Sequence, residues 1–302
     1  MNTAGFRVEP VEYALQRDDL LRVREMVFVQ EQRVPLEEER DAMDPLCRHV
    51  LARDDAGRPI GTGRLTPEHR IGRMAVLREW RGRGVGDALL AALLAEARKR
   101  HLPELTLNAQ VSAEAFYARH GFVPYGPRFH EAGIEHQAMR RRLDGATAIE
   151  DLAGARATLL ALASGSRRQL RIYSRDLEPG LFDAPEVLDA LRRLATRPGA
   201  VEVQILLQDA GTPQRRQAPL LPLAQRLPSV FLFREVHDPV DRNYPSAYVV
   251  SDADGYYFRP LGHRFDGEAD LDAAGRARQL REEFAHVWER SRPCTEYRAL
   301  GL

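Results

Sequence analysis

Residues Arg81-Gly82-Arg83-Gly84-Val85-Gly86 stand between two different periodicities. Before them, Ile71-Gly72-Arg73-Met74-Ala75-Val76 is a short apolar run that reads as a strand. After them, Val85, Ala88, Leu89, Ala92, Leu93 and Ala97 recur at helical spacing. A glycine-rich turn between a strand and a helix start presents backbone N–H groups at the positive end of the helix dipole, where an anion is favoured. Arg81 and Arg83 add charge to the same turn. This pattern predicts a phosphate cradle in an α/β domain, with an ordinary glycine-rich turn as the plainer alternative. Two common cradles are excluded. No Gly-Lys-Ser/Thr follows, so the segment is not a P-loop. The dinucleotide fingerprint lacks its third glycine, because Gly86 runs into Asp87-Ala88-Leu89, and Leu105-Thr106-Leu107-Asn108 ends in an amide where a ribose needs an acid.

The spacing Arg-Gly-x-Gly-x-Gly after Met-Ala-Val resembles the acetyl-CoA pyrophosphate loop of the GNAT acetyltransferases. Downstream, the run Ala109-Gln110-Val111-Ser112-Ala113-Glu114-Ala115-Phe116-Tyr117 continues to His120-Gly121-Phe122. It is similar to the GNAT helix that carries Phe-Tyr and ends at Gly-Phe, and Gly121 is a good helix stop. Upstream stand Val27–Pro35, then Glu39, Asp41, Asp44 and His49; Phe129–Met139 closes the unit. In this order the motifs resemble the ElaA-like branch of the superfamily, over roughly residues 6–143. Gln110 stands where many members carry asparagine, and the amide is retained.

That resemblance implies acetyl-CoA as co-substrate, an amine acceptor of open identity and no metal. Backbone N–H groups around Met74, Ala75 and Val76 would polarise the thioester carbonyl. Arg81, Gly82, Arg83, Gly84, Val85 and Gly86 would neutralise the pyrophosphate, and Gln110, Ala113, Phe116 and Tyr117 would complete the cofactor site. Tyr117 would protonate the leaving thiolate, because a phenol with a pKa of about 10 still carries its proton at neutral pH. An alkyl amine, with a pKa of about 10.4, must first lose a proton to a base. Glu39, Asp41, Asp44 and His136 are the candidates. For each carboxylate a solvated surface is the bland alternative, and for His136 a structural role. His49 reads as a core histidine, Glu131 shares the acceptor side with His136, and His69 and His130 carry less information. A protein that senses acetyl-CoA with little turnover is the alternative from another class.

At 302 residues the chain is long enough for two domains, assigned to 1–145 and 150–302. The net charge is zero, so no basic field points to nucleic acid. Cys47 and Cys294 make neither a disulfide framework nor a zinc pattern. No stretch approaches the ~18 apolar residues of a membrane span, and a cytoplasmic protein is expected.

The first domain reads as a mixed sheet with helices on both faces: strand 8–15, helix 20–31, strands 49–53, 60–66 and 69–76, helix to 100, strand 105–109, the Tyr117 helix, and strands near 122 and over 136–143. Residues 144–147 read as a linker. The second reads as another α/β domain: helices 149–163, 184–196 and 276–291, with strands 170–174, 201–207, 230–233, 247–251 and 256–259. Its texture resembles a phospholipase D-like domain over about 165–292. If Asp252 is that motif's aspartate, Pro245 and Ala247 replace its histidine and lysine. Lys99 is the only lysine in the chain, so no register restores the motif. The covalent nucleophile and its cationic partner are both missing. The expectation is a non-catalytic domain for assembly or partner binding, with a homodimer plausible.

Overall fold

The computed structural model describes residues 5–297; positions 1–4 and 298–302 of the two assigned domains lie outside the described residues. The chain forms two compact units, Met1–Val111 with Gly126–Asp144, and Ser112–Tyr125 with Gly145–Leu302. In chain order come β1 (Phe6–Val11), α1 (Tyr13–Arg24), a π-helical continuation (Glu25–Glu31), the single turn α2 (Leu36–Glu39), β2 (Arg48–Asp54), β3 (Pro59–Leu65), β4 (Ile71–Val76), α3 (Val85–Lys99) and β5 (Glu104–Gln110). Next are α4 (Glu114–Arg119), β6 (Val123–Pro124), β7 (Phe129–Glu131) and β8 (Ile134–Arg142). The rest comprises β9 (Thr147–Ile149), α5 (Leu152–Gly165), β10 (Gln169–Ser174), α6 (Pro185–Ala195), β11 (Glu202–Leu207), α7 (Gly211–Arg215), α8 (Leu220–Arg226), β12 (Phe231–Glu235), α9 (Pro239–Arg242), β13 (Ala247–Ser251), β14 (Tyr256–Arg259), β15 (Gly267–Asp270), α10 (Ala274–Arg290) and β16 (Arg292–Pro293). No helix among the described residues is long and apolar enough to cross a membrane.

In the first unit β1, β2, β3 and β4 form an antiparallel sheet in sequence order. Val85 and Leu89 bring α3 onto β3 at Gly61, where a Cβ would stand 3.1 and 3.0 Å from their side chains. A second ladder pairs β5 and β7 with β8. The expected single mixed sheet is thus divided. β4 and β5 run parallel but meet at one isolated bridge, Arg70 to Thr106. The division has a local cause. The β3–β4 register shifts between Thr62 and Arg64, and Arg73 takes φ 50°, so β4 carries a bulge at its middle.

Two boundaries differ from the sequence reading. The first strand ends at Val11 and the helix starts at Tyr13, because Leu15 and Gln16 N–H both bond the Glu12 carbonyl. The expected linker is partly a strand: Thr147 and Ile149 are buried on β9, which pairs with β15. Three residues are too few to show a period. The following helix starts at Leu152, where the Asp151 side chain accepts the Gly154 N–H at 2.9 Å.

The second unit is one eight-stranded sheet, in the order β16-β12-β11-β10-β13-β14-β15-β9. β10, β11 and β12 are parallel, and β13 returns antiparallel beside β10. Ala277, Leu280, Phe284 and Trp288 repeat along one side of α10 and pack with Tyr173, Leu206, Tyr248 and Val250. Tyr117 and Ala118 of α4 are buried in this unit, where α4 packs on α5.

Candidate functional site

The cradle forms where β4 gives way to α3. Gly82 and Gly84 have φ of 73° and 83°, a region that L side chains rarely enter, and Gly84 is the helix N-cap. A Cβ on either glycine would meet nothing within 4 Å, so the space over the turn is open. The α3 ladder starts with Ala88 N–H bonding the Gly84 carbonyl, and the backbone N–H groups of a helix's first turn lie ahead of the i to i−4 ladder.

The two cradle arginines are already engaged. Arg81 donates through Nε to the Val76 carbonyl at 3.0 Å and through both terminal nitrogens to Glu31, at 2.6 and 2.7 Å. The Arg81 hydrogen bond holds the Glu31 carboxyl below its usual range. Arg83 lies over the Trp80 ring, 5.1 Å from its centre. Met74 lies in the bulge with Arg73, and its sulfur sits against Gly63 of β3. Ala75 is buried and Val76 half-buried, at the end of β4 farthest from the bridge to β5.

Gln110 is the last residue of β5, opposite His136 on β8. Its amide pairs with that of Gln32, at 2.9 and 3.4 Å. His136 Nδ1 bonds the Ile134 carbonyl at 2.8 Å, and its ring stacks on Phe129. A carbonyl only accepts, so Nδ1 carries the hydrogen and Nε2 is the basic nitrogen. Glu131 accepts from Asn108 Nδ2 at 3.3 Å.

The acidic run is not the solvated surface expected of it. Glu39 and Asp44 are buried, 1% exposed each. Arg24, fully buried, bonds Glu39 Oε1 and, at 2.8 Å, Asp44 Oδ2. Arg64 bonds Asp44 Oδ1 and reaches Asp41 Oδ2 at 2.5 Å. The cause is electrostatic: the segment folds inward onto β3, so its acids must be paired. Every carboxylate oxygen of Asp41 and Asp44 accepts a hydrogen bond, since Met43 N–H occupies Asp41 Oδ1. Burial works against the Asp41 carboxylate, but the Met43 N–H and Arg64 together outweigh it and hold its pKa down. Glu39 Oε2 is buried without a hydrogen-bond partner. His49 is a core histidine: Nε2 bonds the Asp44 carbonyl at 2.8 Å, and burial lowers its pKa.

In the second unit, Ala113 caps α4 and Phe116 meets Tyr117 edge-on, with ring centres 5.0 Å apart. Tyr117 is buried, and desolvation raises its pKa well above the ordinary phenol value. Asp252 is not poised for chemistry, because its carboxylate accepts the Arg167 and Arg168 N–H groups at 2.8 and 2.7 Å.

Residues 18–143 match the acetyltransferase (GNAT) domain family. Residues 151–300 match a domain family of unknown function, DUF7931, and nothing supports the phospholipase D likeness. The N-acetyltransferase YjcF of Bacillus subtilis, itself uncharacterized, is 38% identical over 130 residues, covering 42% of this chain and 92% of the relative. An acyl-CoA N-acyltransferase structure from Pseudomonas aeruginosa is 32% identical, with a TM-score of 0.42, covering 45% of this chain and 99% of that one. Escherichia coli ElaA is 28% identical, with a TM-score of 0.41, covering 45% and 99%. The chain belongs to the GNAT family, as an enzyme that moves an acyl group from acyl-CoA to an amine.

Proposed function

We propose that residues 1–145 transfer an acetyl group from acetyl-CoA to the amine of a small molecule or protein. The observation that carries this reading is the pair of parallel strands β4 and β5, joined at one bridge, with the open Gly82–Gly84 turn directly after β4. Acetyl-CoA supplies the activated thioester. Backbone N–H groups of Met74–Val76, at and just after the bulge, stabilise the oxyanion. Backbone donors of Arg81–Gly86 hold the pyrophosphate. Gln110, Ala113 and Phe116 are cofactor contacts carried over from the family pattern.

His136 Nε2 takes the proton of the attacking amine. The nitrogen bonds to the acyl carbon, the C–S bond breaks, and Tyr117 protonates the sulfur. Burial keeps Tyr117 in the phenol form and makes it a weaker acid, so the proton passes to sulfur only as full thiolate charge develops. Asp41 and Asp44 serve the fold, since their oxygens are committed to Arg24, Arg64 and Met43.

The test is release of free CoA thiol by the full-length protein against a panel of polyamines, amino acids and N-terminal peptides. Turnover that His136→Gln abolishes at neutral pH and restores at alkaline pH, where the amine is already free, supports the assignment. Absence of thiol release with every acceptor would sink the transferase reading.

We propose that the second unit is a non-catalytic scaffold for assembly or acceptor binding. The Asp252 carboxylate is engaged by the Arg167 and Arg168 N–H groups. Light scattering on the full chain tests the assembly role, and a monomer at all concentrations would overturn the homodimer.

A further inference from the structure

We infer that Glu31 and Gln32 form a strap across the open end between β4 and β5, and that a bound pyrophosphate displaces Glu31 from Arg81. The inference rests on the acyl-CoA reading above. β4 and β5 are parallel and share one isolated bridge, Arg70 to Thr106, just before β4 and early in β5, so no ladder joins their carboxyl ends. Adjacent residues of the helix that precedes both strands reach those two ends. Glu31 binds Arg81, which also holds the last carbonyl of β4, and Gln32 binds Gln110, the last residue of β5.

The two fasteners differ in kind. Gln32–Gln110 is a neutral amide pair, indifferent to an anion. Glu31–Arg81 is an exposed ion pair, with side chains 38% and 42% accessible, and such pairs contribute little to stability. Arg81 is also the first residue of the cradle. A diphosphate carries more negative charge than one carboxylate and accepts the same forked donors. Its arrival takes Arg81 and repels Glu31. The ionic end of the strap opens while the amide end holds.

The experiment uses the full chain, with CoA as the diphosphate probe and S-acetyl-pantetheine as the probe without it. Calorimetry gives affinities, and hydrogen exchange reads residues 25–34. Glu31→Gln keeps the side-chain volume and removes the competing charge. It is expected to bind CoA roughly 3- to 10-fold more tightly than wild type, with no gain for S-acetyl-pantetheine. CoA, but not S-acetyl-pantetheine, should speed exchange in 25–34 of the wild type. Glu31→Gln should show that faster exchange before any ligand is added. Unchanged or weaker CoA binding by Glu31→Gln, or exchange in 25–34 that ignores CoA, overturns the strap. Wild type that binds no CoA at all overturns the acyl-CoA reading itself, and the two failures are distinct.

Discussion

Gly63 lies under Met74: a Cβ at position 63 would stand 2.5 Å from the Met74 sulfur and 3.0 Å from Leu93 Cδ1. The β4 bulge therefore needs a residue without a side chain on the neighbouring strand. Gly63→Val should destabilise the chain by about 1–3 kcal/mol through overpacking. It should also lower kcat/KM, because the displaced Met74 turns the N–H groups meant for the thioester. Urea unfolding and thiol-release kinetics measure both, and a variant normal in both would show that the bulge tolerates a side chain there.

Gly84→Glu tests the cradle. Gly84 sits at φ 83° with open space above it, so the substitution adds backbone strain and puts a carboxylate where an anion should bind. The strain alone is worth roughly 1–2 kcal/mol. Loss of CoA affinity should exceed that, by tenfold or more at low salt, because charge repulsion adds to it. Calorimetric titration beside thermal unfolding separates the two, and equal affinities would remove the turn from the binding site.

Tyr117→Phe should lower kcat by about 10²–10⁴-fold while CoA affinity stays near wild type, since only proton donation is lost. Single-turnover rates with a good acceptor decide this. A fully active variant would reduce Tyr117 to a packing residue.

The buried phenols make the fold sensitive to alkali. Desolvation raises the pKa of Tyr117, Tyr248 and Tyr257, while in the unfolded chain each titrates near 10. Their stabilising contribution is complete below pH 10 and is lost above it, because the unfolded chain then releases protons that the folded chain keeps. Each group lowers stability by up to about 1.4 kcal/mol per pH unit in that range. Urea midpoints at pH 9 to 11, followed with tyrosinate absorbance, should fall with this slope, and less steeply in Tyr117→Phe. Flat midpoints would show that these phenols ionise in place.

Arg24→Ala leaves Glu39 and Asp44 buried without their shared cation. Breaking a buried pair from one side typically costs about 3–5 kcal/mol. Chemical denaturation should show a loss of that order, larger than for Arg83→Ala, whose side chain rests on Trp80 at the surface.

Much of the first unit was legible because its signals are local. The strand–glycine–helix order around Arg81–Gly86 appears where the residues place it. What faces what was not legible. Glu39 and Asp44 look like a hydrophilic surface until the chain folds them onto Arg24 and Arg64, which are 20 residues from Asp44 on either side. A count of acids beside an apolar strand gives no sign of that pairing. Glu31 and Gln32 sat inside a recognised motif, yet only the tertiary structure brings them to Arg81 and Gln110. In the second unit the parallel strands were readable as apolar runs. The strands β9 and β15 were not, because they are only three and four residues long.

The π-helical turn from Glu25 to Glu31 makes the site a matter of phase. In an α-helix each residue turns the chain by about 100°. A π-turn holds the same rise with a wider winding, as if one residue had been inserted. Deleting a single residue there would let the helix rewind and carry Glu31 and Gln32 around the axis together, away from both partners. A substitution can undo one fastener, but a change of length by one undoes both. In this chain the spacing between Arg24 and Glu31 is therefore as much a part of the site as the identity of either residue.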